Sequence, residues 1–137
     1  MSIPKELLKD LYWSFRARFA DKASFEEELM HYNARLSKYP QLDKIVFPEQ
    51  KIVIQYQWIP FDDENDEDRY IFLETENAKG FTLSELMFKI NNTAITENEN
   101  DFDLSDQDAH FFEGLEYVTD DDPEYPQTKV YFMILGS

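Results

Sequence analysis

Lys51-Ile52-Val53-Ile54-Gln55-Tyr56-Gln57-Trp58 is the stretch in which the apolar period becomes two. Ile52, Ile54, Tyr56 and Trp58 alternate with Val53, Gln55 and Gln57, which predicts a strand with one buried face. Pro60 ends it. Arg69 to Thr75 repeats the alternation, with Ile71 and Leu73 on one face and Tyr70 and Phe72 on the other. The two runs predict a hairpin whose connection is Phe61-Asp62-Asp63-Glu64-Asn65-Asp66-Glu67-Asp68.

Towards the C-terminus, Thr82 and Glu85 form a capping box in front of Leu83, Leu86, Met87, Ile90 and Ala94, which recur at helical spacing. Asn91-Asn92-Thr93 reads as a weak helix end, and Glu97 to Asp108 as a polar, acidic link. Ala109 to Val118 predicts a strand, with Gly114 marking a bulge. Asp120 to Gln127 is a second acidic turn region. Lys129 to Leu135, Lys-Val-Tyr-Phe-Met-Ile-Leu, is apolar on both faces and predicts a central strand.

Towards the N-terminus, Ser2 and Pro4 suit the first turn of a helix, and Leu8, Leu11, Tyr12, Phe15 and Phe19 follow at helical spacing. Trp13 lies off that stripe and reads as facing a second layer or a partner. Ser24 and Glu27 make another capping box before Phe25, Leu29, Tyr32 and Leu36, and Pro40 closes that segment. The expected order is α-α-β-β-α-β-β. This is an α+β fold of two N-terminal helices followed by β-β-α-β-β, forming a mainly antiparallel sheet packed by helices. A single domain is expected over 1–137, with a helical pair in 1–40 and a sheet with one inserted helix in 51–135.

Charge divides the chain unevenly. Met1 to Trp58 holds nine Lys or Arg against eight Asp or Glu, whereas Ile59 to Ser137 holds four against 21, so +1 and −17 give the net −16. Such a surface is repelled by nucleic acid and by anionic membranes and attracted to basic proteins. Disorder is not expected despite the charge, because 16% of the residues are aromatic. With no Cys, thiolate metal sites, disulfides and a Cys nucleophile are excluded. The first residues show no basic segment leading into an apolar run, and no apolar stretch approaches a membrane span. These features predict a cytoplasmic protein.

Motifs for chemistry are sparse. Asp101, Asp103 and Ser105 offer oxygens at alternate positions, as a calcium loop does, but Asp106 stands where Gly is needed and Phe112 where Glu is needed. His31 and His110 are far apart and give no metal spacing. Three dispersed glycines cannot cradle a phosphate, and no Gly-x-Ser-x-Gly turn is present. No catalytic residue, cofactor or metal is therefore expected. A pocket lined by His110 and Glu113 would point to an enzyme instead.

The residues expected to meet a partner are the three acidic sets and the aromatics beside them. The first set is Asp62, Asp63, Glu64, Asp66, Glu67 and Asp68. The second is Asp101, Asp103, Asp106 and Asp108, and the third is Asp120, Asp121, Asp122 and Glu124. Phe61 and Tyr125 are the expected anchors, since aromatics ringed by charge suit protein interfaces. Short, acidic, Cys-free and aromatic-rich, the chain resembles small bacterial immunity proteins and antitoxins in general character, with no defined motif and no residue carried over. The expectation is an inhibitor or immunity-type protein that masks a basic partner such as a nuclease toxin. The alternative expectation is a non-catalytic scaffold, homo-oligomeric through a sheet edge or through Trp13.

Overall fold

The computed structural model describes residues 3–57, 68–98 and 111–136. Its elements run β1 (Glu6–Leu7), β2 (Trp13–Ser14), α1 (Lys22–Ala34), β3 (Ile45–Phe47), β4 (Lys51–Gln57), β5 (Asp68–Glu74), β6 (Phe81–Thr82), α2 (Leu83–Asn98), β7 (Phe111–Thr119) and β8 (Lys129–Gly136). The main sheet has the order β1-β7-β8-β4-β5, with β2 also on β7, and β3 pairs with β6 in a small second sheet. All pairings are antiparallel except β4 with β8, which is parallel.

The expected order of two N-terminal helices followed by β-β-α-β-β is overturned. Among the described residues there are two helices, one in the N-terminal third and one after the β4–β5 pair. In place of the first expected helix, β1 and β2 form two halves of one edge strand along β7, with Leu7 opposite Leu115 and Trp13 opposite Phe112. Leu8, at φ 58°, turns the chain out between the halves. The physical reason lies in burial: Leu11, Trp13 and Phe15 are all buried, a period of two, whereas Tyr12 of the helical stripe is 40% exposed. Trp13 is 6% exposed and packs in the core against the second layer, with one edge left at a recess beside α1.

Helix α1 begins earlier than its Ser24 capping box predicts. Asp21 is the cap, and its carboxylate accepts from the Ser24 N–H at 2.7 Å. Phe25 and Leu29 are buried as expected, but the helix ends at Ala34 and Leu36 is exposed. Helix α2 starts as its capping box predicts, with the Glu85 N–H donating to Thr82 Oγ1 at 3.1 Å. It then runs through Asn91-Asn92-Thr93 as far as Asn98, so these residues do not end it and Glu97 is helical.

Gly114 is the β7 bulge, at φ 116°, where a side chain would also meet Lys9. The segment β8 is central, between β7 and β4, which accounts for its apolar character on both faces.

One core gathers Phe25 and Leu29 of α1, Leu86, Met87 and Ile90 of α2, and Ile52, Ile54, Tyr56, Ile71, Leu115 and Met133 of the sheet. Each such side chain stabilises the fold by about 1.5–3 kcal/mol on burial. Both helices lie on this face. The other face of the sheet carries Val53 and Val130, which are buried yet outside that core. Among the described residues no helix is long and apolar enough to cross a membrane.

Candidate functional site: an acidic, aromatic sheet face

The alternation of β5 places Ile71 and Leu73 in the core and turns Asp68, Tyr70, Phe72 and Glu74 to the opposite face. Tyr70 is 36% exposed and Phe72 41%, so Phe72 is not the core residue its type suggests. The β7–β8 connection supplies a third ring. Tyr125 stacks on Phe72 with centroids 6.1 Å apart and planes 7° apart, and lies 6.1 Å from the Tyr70 ring at 34°. Phe72 pairs across to Val53, and Val53 to Val130, so an apolar row runs across the sheet beneath this group.

The connection that carries Tyr125 is held by its own polar groups. Asp122 Oδ1 accepts from the Glu124 N–H at 2.9 Å, and its backbone carbonyl accepts from the Tyr125 N–H at 3.1 Å. Thr119 Oγ1 accepts from the Asp121 N–H at 3.0 Å. The parallel pairing of β4 with β8 sets where this connection begins. Ile52 pairs with Lys129, so β8 starts beside the start of β4, at the end of the sheet opposite to that where β4 ends and β5 begins. The ends of the two hairpins are therefore split. Tyr125 nonetheless reaches back over the face to Tyr70 and Phe72, so Asp122 and Glu124 act on the same Tyr70 that Asp68 does.

That meeting appears in the tyrosines. Partial burial raises the Tyr70 pKa first, and the charges of Asp68, Asp122 and Glu124 raise it further. Tyr125 is raised by partial burial and then by Glu124, Asp122 and Glu97. Gln55 Nε2 donates to Asp68 Oδ2 at 2.9 Å, which fixes one carboxylate at the rim. No described Lys or Arg lies within ion-pair distance of Asp68, Asp121, Asp122 or Glu124. Asp120 differs, because Lys129 Nζ sits 3.8 Å from it and 3.6 Å from Glu49.

Of the expected contact residues, the structure thus brings Asp68, Asp122, Glu124 and Tyr125 together and sets Asp120 against Lys129. Phe61, Asp62, Asp63, Glu64, Asp66 and Glu67 lie outside the described residues, as do Asp101, Asp103, Asp106, Asp108 and His110. Tyr70 and Phe72 belong to the site but were not among the expected contacts, and Glu97, on the helix-covered face, reaches it only through the charge it adds near Tyr125. For Tyr70 and Phe72 a signal exists: they share a strand face with Asp68 and Glu74, and charge at both ends marks an outer face. Glu97 accepts from Tyr56 Oη at 3.3 Å, and burial raises its pKa. Nothing local in the sequence marks it. Glu113 is exposed beside the Gly114 bulge. Among the described residues no three acidic or histidine side chains gather as metal ligands.

No protein-family model, curated protein or solved structure matches the chain.

Proposed function

We propose that this chain is a non-catalytic binding protein that acts in the cytoplasm and covers a basic partner with its acidic sheet face. In its most concrete form it is an inhibitor or immunity-type protein that masks the nucleic-acid-binding surface of a nuclease toxin. The observation that carries the reading is the Tyr70–Tyr125–Phe72 group ringed by Asp68, Asp122 and Glu124 without described counter-ions. Rigid rings provide contact area at low entropic cost, and the surrounding carboxylates suit a cationic rim. A surface that holds phosphates must itself be basic. Carboxylates held on the sheet and on the connection stacked against it can compete for it, and the net charge of −16 speeds the encounter.

The test immobilises the protein, exposes it to a lysate of its source cells at low and high salt, and follows association of the captured protein by stopped flow. The Asp68→Asn/Asp122→Asn/Glu124→Gln protein is expected to associate roughly tenfold more slowly at low salt, with a flatter salt dependence. A captured partner without a basic face, or one whose rate and salt slope are unchanged by the three substitutions, overturns the proposal. A second reading, a homo-oligomeric scaffold, is favoured by the position of β5 at the edge of the sheet. A salt-insensitive oligomer in light scattering selects it.

A further inference from the structure

We infer that the recess between β2 and α1 is a binding site for a small planar aromatic carboxylate. It is lined by Trp13, Phe19, Tyr32, Arg16, Arg35 and Glu28, among others, and encloses about 210 Å³. It lies away from the acidic sheet face and owes nothing to the function proposed for that face.

The wall of the recess is preorganised. Trp13 Nε1 donates to the buried Asn91 Oδ1 at 2.9 Å. Its ring meets Phe25 at 5.1 Å, Tyr32 at 5.8 Å and Phe19 at 6.0 Å. The chain beside it is pinned to α2. Asn91 Nδ2 donates to the Ala17 carbonyl at 3.1 Å, while Asn92 accepts from the Phe19 N–H at 3.0 Å and donates to its carbonyl at 2.8 Å. The aromatic surface therefore exists before any ligand arrives, which lowers the cost of binding.

The rim supplies the charge. Arg16 and Arg35 both face the recess and neither is ion-paired with a described carboxylate. Arg16 Nε donates to Ser14 Oγ at 3.3 Å, which orients its fork, and Arg35 caps the end of α1. Glu28 is the one acidic lining residue, so the recess carries +1 within a chain of net charge −16. An aromatic wall alone would also accept a cation, but two guanidinium groups against one carboxylate oppose it. Guanidinium forks match a planar carboxylate. Size sets the rest: a cavity of about 150 Å³ takes a benzene ring, and larger organic ligands need about 300 Å³ or more. One ring with one carboxylate fits.

Benzoate is the probe. In a Trp58→Phe protein Trp13 is the sole indole, and its emission is expected to change saturably with benzoate but not with benzamidine or acetate. Saturation-transfer NMR on the unaltered protein reports the same contact if that variant folds poorly. Arg16→Gln and Arg35→Gln, both at exposed side chains, are each expected to weaken binding about tenfold. Glu28→Gln is expected to tighten it severalfold. No saturable response up to about 10 mM benzoate, a range that covers affinities weaker than 1 mM, overturns the inference. So do benzamidine binding better than benzoate, or arginine variants that bind like the parent.

Discussion

Phe72 and Tyr125 stack with their planes 7° apart on the sheet face that neither helix covers. One ring comes from an edge strand and the other from a connection that starts at the far side of β8. The contact therefore does two things: it ties the 120–128 connection to the sheet, and it holds Asp122 and Glu124 where their charges act on Tyr70.

Removing the ring should release the connection. Tyr125→Ala is expected to cost about 1–2 kcal/mol, from a lost aromatic pair and partial apolar burial. Amide exchange across 121–128 should accelerate while the core of β4 and β8 stays protected. Tyr125→Phe keeps the stack and should lie within about 0.5 kcal/mol of the parent. Exchange mass spectrometry with urea midpoints checks both.

Asn33 does for the N-terminal segment what a neighbouring strand would do. Its Oδ1 accepts from the Tyr12 N–H at 2.9 Å, and its Nδ2 donates to the Tyr12 and Leu29 carbonyls, each at 2.8 Å. Asn33 is fully buried, so Asn33→Ala leaves backbone groups without partners and is expected to cost about 2–4 kcal/mol. A lower urea midpoint at unchanged slope is the expected result. A midpoint equal to the parent's would mean that water replaces the side chain.

Those asparagines also explain what the sequence could and could not convey. Ile52, Ile54 and Tyr56, the α2 stripe, the Gly114 bulge and the central place of Lys129 to Leu135 were legible, because each is a local periodicity or a local backbone demand. The segment from Leu7 to Phe19 was not. Its helical spacing at Leu8, Leu11, Tyr12, Phe15 and Phe19 competes with the period-two set Leu11, Trp13 and Phe15. Asn33, Asn91 and Asn92, distant in the chain, decide between them by hydrogen-bonding a non-helical backbone at Tyr12, Ala17 and Phe19. Read locally, Asn91 and Asn92 signal a helix end. In the fold they are two of the three clamps. In the candidate site, the carboxylates and Tyr125 were legible as composition. Their meeting with Tyr70 and Phe72 depends on the parallel β4–β8 pairing, which no local pattern encodes.

Asp21 gives stability a defined acid dependence. Its hydrogen bonds from Ser24 hold its pKa below the ordinary 3.8. A group depressed in the folded state stabilises above its unfolded pKa and loses that effect as pH falls through the folded value. Asp21→Ala should therefore be less stable than the parent at pH 7, with the gap closing below about pH 3.8. Asp21→Asn keeps the acceptor without the titration, so its pH profile should lack that component. Thermal melts from pH 2 to 7 on all three proteins measure the difference.

Neutralising the acidic face should make the fold more stable while weakening its proposed use. Asp68, Asp122 and Glu124 are like charges gathered about one group of rings, where they act together on Tyr70, and none is balanced by a described cation. Asp68→Asn/Asp122→Asn/Glu124→Gln keeps oxygen acceptors for Gln55 and for the Glu124 N–H, so hydrogen bonding survives and repulsion does not. The melting temperature is expected to rise by about 2–4 °C at low salt and by less at high salt. Tyr70 reports the same field. With those charges gone its pKa should move down towards 10.0, as read by NMR titration. The sign for stability follows. A tyrosine raised in the folded state contributes fully below its unfolded pKa and loses that contribution as pH rises through the folded one. The alkaline loss of stability should thus be shallower in the variant. If the carboxylates served the fold, the melting temperature would drop and Tyr70 would still shift. A gain in stability together with slower partner association separates a surface kept for binding from one kept for folding.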